Sequence, residues 1–209
     1  MPTSTRRIVL LGLAASAVTG PGLAQQGAEA QRIPIELSED TLALDAAIRI
    51  GAKHGDVTLV EFFDYNCPFC ARSAKDMTAL LASDPDLTYV LVNYAVLGAP
   101  SVEATRVALA FARQAGPEKY LAFHQSLFGA RGVRGAAVAV EKAKALGADP
   151  ARLVAEADSA PVTAAMKQAV QLGERLGLVA TPSYVVGPWS FAGHVPLERK
   201  RRIIESVRL

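Results

Sequence analysis

Cysteine is scarce in this sequence, which has only Cys67 and Cys70 among its 209 residues. A single closely spaced pair cannot form the network of disulfides that holds small exported domains together. A bridge that closes about four residues contributes roughly 2 kcal/mol to stability by the loop-entropy relation, near the low end for disulfides. A purely structural bridge is therefore the weakest interpretation of this pair.

Histidine is scarce as well. His54, His124 and His194 lie far apart, and the sequence has no second C-x-x-C and no H-x3-5-H pattern that could complete a tetrahedral zinc site. Two thiolates can still bind a soft metal such as Cu(I), so a copper- or zinc-binding protein is the distant alternative. We predict no metal site and no cofactor. We expect His124 to lie in the core, because its neighbours are apolar, and His194 to lie in an exposed turn.

A strong excess of charge of either sign is also absent. The formal net charge is +2, and removal of residues 1–24 takes away two arginines and no acid, which leaves 20 basic and 20 acidic residues. Clusters of basic and aromatic residues are missing, so nucleic-acid binding is not indicated. The short basic run Arg199–Arg202 follows an amphipathic pattern and is predicted to be a solvated helix face.

The longest apolar run near the N-terminus, Ile8–Val18, has 11 residues, whereas a membrane-spanning helix needs about 20. Arg6 and Arg7 precede this run, and small residues follow it at Gly22 and Ala24. The pattern predicts a signal peptide over residues 1–24 and export to the periplasm. We favour the general secretion route over twin-arginine export, because the lysine that helps the latter is missing after the arginine pair.

Hydrophobic periodicity predicts alternating strands and helices after residue 56. Val57–Phe63 is a strand, Asn66–Ser83 a helix and Leu87–Tyr94 a second strand, which implies a parallel pair with a right-handed crossover. The alanine-rich stretch Ser101–Val179 contains breaks typical of four or five helices, one of them at Gly116–Pro117. The chain then closes with two short strands and a helix, at Ser183–Val186, Trp189–Phe191 and Leu197–Val207.

These elements predict one α/β domain over residues 57–209, in which an all-helical insertion at about 101–179 interrupts the sheet. Residues 25–56 form a leader and the start of the domain. Within them, residues 25–32 are polar and small and are expected to be mobile. Ile33–Ile50 is ambiguous between a short strand and a short helix.

The cysteine pair lies between a predicted strand and a predicted helix, an arrangement suited to a dithiol–disulfide switch. Free backbone N–H groups and the positive end of the helix dipole stabilise a thiolate at Cys67. Pro68 suits the first helical turn, where its missing N–H is not needed. Cys70 lies one turn further and deeper, so it is expected to keep a higher pKa and to resolve mixed disulfides formed by Cys67. Asp64 and Tyr65 are expected to shape the preceding loop.

The segment Phe62–Cys70, followed far downstream by Ala180–Ser183, resembles the DsbA-like family of periplasmic thiol–disulfide oxidoreductases. The resemblance spans about residues 57–207 and implies a thioredoxin-like fold with a helical insertion. It implies that Thr181 and Pro182 are the cis-proline pair, which lies beside the cysteines and binds the substrate backbone.

The resemblance also extends to Glu61, six residues before Cys67. This position matches the family's buried acid, which exchanges a proton with the second cysteine, here Cys70. Pro68 and Phe69 match the variable dipeptide that tunes the redox potential.

The function implied by the resemblance is oxidation of dithiols in exported proteins, followed by reoxidation by a quinone-linked partner in the inner membrane. A disulfide isomerase or reductase is the close alternative. Known dimeric isomerases of this kind carry an N-terminal dimerisation domain, and residues 25–56 look too short for one, so a monomer is favoured.

The strongest oxidases of the family have histidine at the position of Phe69 and valine at the position of Thr181. The missing histidine removes a positive charge that favours the thiolate. We therefore predict that this protein is less oxidising than the strongest oxidases of the family. Equilibration with glutathione measures the potential, and a value near −120 mV, as in the strongest oxidases, would contradict this prediction.

Overall fold

The computed structural model describes residues 29–208, so the predicted signal peptide lies outside the described residues. One mixed six-stranded sheet has the order β1-β6-β5-β3-β4-β2. The strands are β1 (Ala30–Arg32), β2 (Ala47–Gly51), β3 (Val57–Phe63), β4 (Leu87–Asn93), β5 (Ser183–Val186) and β6 (Trp189–Ala192). The helices are α1 (Ile35–Leu42), α2 (Pro68–Ser83), α3 (Ala99–Phe128), α4 (Ala136–Ala145), α5 (Pro150–Ala157), α6 (Ala160–Arg175) and α7 (Leu197–Arg208).

The centre of the sheet is β3, which pairs in parallel with β4 and antiparallel with β5. Its sequence is apolar at nearly every position because helices cover both faces of a central strand. Both the bounds of β3 and the parallel pairing with β4 confirm the prediction. The helix that follows begins at Pro68 rather than Asn66, because Cys67 is its N-cap.

The prediction of a mobile polar leader is wrong for Ala30–Arg32, and residues 25–28 lie outside the described part of the chain. Ala30–Arg32 pairs antiparallel with β6, with Ala30 opposite Phe191. All three residues are exposed, so the strand is held by backbone hydrogen bonds and not by apolar side chains, and hydrophobic patterning cannot reveal it. The ambiguous stretch that follows contains both a helix, α1, and a strand, β2.

Four helices, α3 to α6, lie between β4 and β5, as the alanine-rich composition predicted. The longest, α3, is kinked at Gly116, which has φ of 78° and ψ of 173° and precedes Pro117. This is the predicted break, since the positive φ suits glycine and proline cannot continue the helix. None of the described helices is long and apolar enough to cross a membrane.

Helix α6 packs on the end of β4 through Gly173 and Tyr94. A Cβ atom added to Gly173 would lie 2.5 Å from Cε2 of Tyr94. The ring cannot easily retreat, because its hydroxyl donates to the carbonyl of Leu178 at 3.2 Å and its edge packs on Phe62 with ring centroids 5.8 Å apart.

We therefore expect Gly173→Ala to lower the free energy of unfolding by about 1–2 kcal/mol, because overpacking outweighs the higher helix propensity of alanine. Urea denaturation measures the change. Gly129→Ala is the control, since a Cβ there meets nothing closer than 3.4 Å. An increase in stability for Gly173→Ala would show that the Tyr94 ring moves freely.

Candidate active site

Cys67 lies at the N-terminus of α2, where its backbone is extended, with φ of −81° and ψ of 121°. Its Sγ accepts a hydrogen bond from the backbone N–H of Cys70 at 3.4 Å. Pro68 occupies the first helical turn, where no N–H is required. The local sequence therefore places one sulfur at the positive end of the helix, as predicted.

The pKa of Cys67 is lowered to about 6, chiefly because the thiol of Cys70 donates a hydrogen bond to its sulfur. Burial opposes this effect, and the backbone N–H groups of Cys70 and Phe69 add to the lowering. The carbonyl of Thr181 lies 3.1 Å from Sγ and can only accept, so this contact favours the protonated thiol. The side chain of Thr181 lowers the pKa of Cys67, so the net preference for the thiolate comes from α2 together with this side chain.

Cys70 has the opposite character. It is buried, and burial raises the pKa of its thiol, with further increases from Cys67 and from the charge of Glu61. At neutral pH the pair therefore consists of a thiolate at Cys67 and a thiol at Cys70. Such a split suits one nucleophile and one resolving group.

The loop before β5 brings Thr181 and Pro182 to the cysteines across more than one hundred residues of sequence. The Thr181–Pro182 peptide bond is cis, and β5 pairs antiparallel with β3. The hydroxyl of Ser183 donates to the carbonyl of Ala180 at 2.6 Å and closes the turn. Sheet pairing thus places the Thr181 carbonyl against Cys67.

Asp64 anchors the loop that precedes Cys67, as expected. Its carboxylate accepts from the N–H groups of Val96 and Leu97 at 2.9 and 3.0 Å and from the hydroxyl of Ser101 at 2.6 Å. The expectation that Asp64 shapes this loop is confirmed. These bonds join the loops after β3 and β4.

Asn66 is a structural residue that sequence reasoning missed. Its amide donates to Ser101 and to the carbonyl of Arg134, both at 3.0 Å, and accepts from the N–H of Arg134 at 2.8 Å. These contacts tie the active-site turn to the loop before α4. A lone asparagine beside a cysteine motif carries no sequence signal that could have identified this role.

The two histidines near the site differ from each other. His124 is buried, as predicted, and burial lowers its pKa to about 3, so the ring is neutral. The prediction that His194 is exposed is wrong, because its ring is half-buried with its centroid 6.0 Å from that of Phe69. Its Nε2 lies 3.8 Å from Asp76. The loop after β6 carries this ring onto α2, where Phe69 and Asp76 partly bury it.

Glu61 lies on β3 and is only 2% exposed, which agrees with the burial implied by the resemblance. It accepts a short hydrogen bond from the hydroxyl of Tyr89 on β4. Burial raises the pKa of its carboxyl, against the opposing effects of Lys200, Tyr89 and Ser73.

The basic run Arg199–Arg202 is not wholly solvated, and the prediction is wrong for Lys200. This residue is also 2% exposed, on the inner face of α7. A basic residue at a core position cannot be told from its neighbours by composition, so burial became apparent only in the folded chain. Among the described residues, no group of three or more His, Cys, Asp or Glu side chains is arranged to hold a metal ion.

The chain resembles known proteins over most of its length. A family model described as Thioredoxin matches residues 44–206. A thioredoxin-like oxidoreductase from Silicibacter pomeroyi DSS-3 is 35% identical, with a TM-score of 0.76 over 81% of this chain and 96% of that one. A periplasmic thioredoxin-like protein from Salmonella enterica serovar Typhimurium is 26% identical, with a TM-score of 0.74 over 85% and 99%.

A more distant likeness supports the fold alone. The thiol-disulfide exchange protein alpha-DsbA2 from Wolbachia pipientis is 22% identical, with a TM-score of 0.75 over 83% of this chain and 93% of that one. No curated protein matches the chain. The predicted thioredoxin-like α/β fold of DsbA-like type is thereby confirmed.

The split between the two thiols can be measured directly. Thiolate absorbance at 240 nm in the reduced protein should titrate with a midpoint near pH 6, the pKa of Cys67. Cys67→Ser should abolish this transition, whereas the oxidised protein serves as the blank. A midpoint near 8.5, the value of an ordinary cysteine, would contradict the geometry.

The same thiolate should make stability depend on pH. Because the pKa of Cys67 is lower in the folded protein than in the unfolded chain, its contribution is fully present above about pH 8.5 and is lost as the pH falls through about 6. The unfolding free energy of the reduced protein, minus that of the oxidised protein, should therefore rise from pH 5 to pH 8. Urea denaturation of both forms tests this, and a flat difference would contradict it.

Proposed function

Because the chain belongs to the thioredoxin family, we propose that it is a thiol–disulfide oxidoreductase that exchanges its Cys67–Cys70 disulfide with cysteines of exported proteins. We place it foremost as a dithiol oxidase. The observation that carries the proposal is the pairing of a stabilised thiolate at Cys67 with a buried thiol at Cys70. This pairing makes Cys67 a good leaving group and nucleophile and leaves Cys70 to complete the exchange.

The exchange proceeds in two balanced steps. A substrate thiolate attacks Sγ of Cys67, the Cys67–Cys70 bond breaks, and Cys70 leaves with the electron pair and takes up a proton. A second substrate thiolate then attacks the substrate sulfur of the mixed disulfide and releases Cys67 as a thiolate. The substrate has lost two electrons and gained a disulfide, and the protein holds one thiolate and one thiol.

Glu61 is proposed to exchange the proton with Cys70. Its carboxyl is buried close enough for its charge to raise the pKa of that thiol. Because burial also raises the pKa of the carboxyl, its proton-bound form is more accessible than that of an exposed glutamate, as a proton donor to Cys70 requires.

The substrate is proposed to lie along Thr181 and Pro182, beside Cys67. Exposed apolar side chains flank this place: Phe69 is 48% exposed, and Val179, two residues before Thr181, is 90% exposed. Apolar surface next to a reactive sulfur suits unfolded chains, whose cysteines lie among apolar residues. Exported proteins that are still folding are therefore the proposed clients.

The periplasm is the proposed compartment, since disulfide exchange with exported proteins needs an oxidising environment. The predicted signal peptide and the periplasmic description of the Salmonella relative support this location. We propose that the protein acts as a monomer and that a quinone-linked partner in the inner membrane reoxidises it.

The Cys67 pKa bears on the direction of electron flow. A value of about 6 lies between about 3.5 for the strongest family oxidase and about 7 for thioredoxin. A more stable thiolate makes the disulfide more oxidising, so the protein is proposed to be an oxidant of intermediate strength. The isomerase or reductase alternative is decided by the assay below.

Cys70→Ala should accumulate a mixed disulfide when its Cys67 thiolate attacks a disulfide of scrambled ribonuclease and releases the other substrate sulfur as a thiolate, because the resolving sulfur of Cys70 is gone. Cys67→Ala is the matched control and should capture no substrate and oxidise none. Non-reducing gel electrophoresis and recovery of ribonuclease activity measure both outcomes. Faster recovery from scrambled than from reduced ribonuclease would favour an isomerase, and no captured substrate with Cys70→Ala would contradict thiol–disulfide exchange.

A further inference from the structure

Lys200 lies at a position in α7 where the helical periodicity predicts an apolar side chain. It is buried on the same face as Ile204, four residues later, and is 2% exposed. An ammonium group at this depth loses its hydration and is costly unless it is paired. The mechanism described above makes no use of this cation.

The partners of Lys200 lie directly behind the cysteines. Its Nζ donates to the hydroxyl of Ser73 at 2.9 Å and to the carboxylate of Asp76 at 3.1 Å, both on α2. It also lies 4.7 Å from the ring centroid of Tyr184. Ser73 follows Cys70 by one turn of α2, so the cation contacts the helix that carries the resolving thiol.

Tyr184 connects this group to Glu61. The two residues are opposite each other in the register of β3 and β5, and their side chains therefore share one face of the sheet. The hydroxyl of Tyr184 lies 2.8 Å from that of Ser73. A buried polar cluster beneath the active site therefore consists of Lys200, Ser73, Tyr184 and Glu61.

The charges that reach Glu61 come from every element packed around it. Lys200 from α7 lowers the pKa of its carboxyl, and Asp76 from α2 raises it. The other polar neighbours are Ser73 and Cys70 on α2, Tyr89 on β4 and Tyr184 on β5. His194 lies 3.8 Å from Asp76, and its pKa is affected by both Asp76 and Arg72. The buried cation and the half-buried anion therefore act on Glu61 in opposite directions.

We propose that Lys200 is a positioning residue that, balanced by Asp76, sets the charge of Glu61 and thereby controls proton exchange with Cys70. This inference rests on the proposed function. When the protein's disulfide is opened, Glu61 gives a proton to the leaving Cys70 sulfur. When the dithiol is reoxidised, the Glu61 carboxylate takes that proton back. Without the cation the carboxyl holds its proton more tightly, and the return transfer slows.

Two substitutions separate this role from a purely structural one. Lys200→Met removes the cation at similar side-chain length, and Asp76→Asn removes the anion but keeps an oxygen that can accept from Lys200. Both weaken the contact between α2 and α7. Only an electrostatic role makes their effects on Glu61 opposite in sign.

The first measurement is the titration of the Glu61 carboxyl carbon by 13C NMR in the reduced full-length protein, with Glu61→Gln used for assignment. Lys200→Met should move the midpoint to higher pH, and Asp76→Asn should move it to lower pH. If Lys200→Met does not fold, the downward shift with Asp76→Asn still tests the proposal. Unchanged midpoints, or shifts of the same sign, would overturn it.

The second measurement is the rate at which Cys70 resolves a mixed disulfide between Cys67 and glutathione, followed from pH 5 to pH 9. Lys200→Met should slow this step about tenfold at pH 7. This is the change expected when the midpoint of the Glu61 titration moves up by about one pH unit. The 240 nm titration of Cys67 should stay unchanged, because Lys200 and Asp76 are not among the groups that act on it. In a Glu61→Gln background, Lys200→Met should no longer alter the pH profile.

The outcomes distinguish the two proposals. If the native protein does not exchange its disulfide with glutathione, the proposed function fails, whatever the carboxyl midpoints are. If exchange is normal and the Glu61 midpoint is the same in all variants, only the role of Lys200 fails.

Discussion

The stabilisation of a negative charge on the sulfur of Cys67 is the interaction on which the rest of the site depends. The N-terminus of α2 supplies backbone donors, and the thiol of Cys70 supplies another. Both require that β3 ends just before Cys67 and that α2 starts just after it. The hydrogen bonds of Asp64 hold this turn in place from the loop after β4. The turn is therefore fixed by backbone geometry and by one buried carboxylate.

The second constraint is the cost of burying ionisable groups beneath that turn. Glu61 and Lys200 are each 2% exposed, and packed apolar side chains are often at least as favourable at such depth as charged groups with partners. Their burial therefore contributes little to the stability of the fold. It fits the proposed proton exchange, in which the charge of Glu61 changes as the Cys70 proton moves, because water would otherwise weaken that electrostatic coupling.

The site also depends on contacts between segments that are distant in sequence. Thr181 reaches Cys67 only because β5 pairs with β3, and Asn66 reaches Arg134 only because the loop before α4 returns to the active-site turn. These contacts fix the positions of the Thr181 carbonyl, the Cys67 sulfur and the helical block relative to one another. Loss of any one pairing would leave the cysteines on the same helix but without their surroundings.

The sequence by itself determined the features that depend on neighbouring residues. The apolar run of β3, the start of α2 at the cysteines and the break at Gly116 follow from periodicity and from the backbone limits of glycine and proline. Tertiary structure alone decided three features: the strand Ala30–Arg32, the partial burial of His194 and the burial of Lys200. Strand pairing through the backbone and the burial of a polar side chain depend on which distant segment packs against it, and no local pattern records that partner.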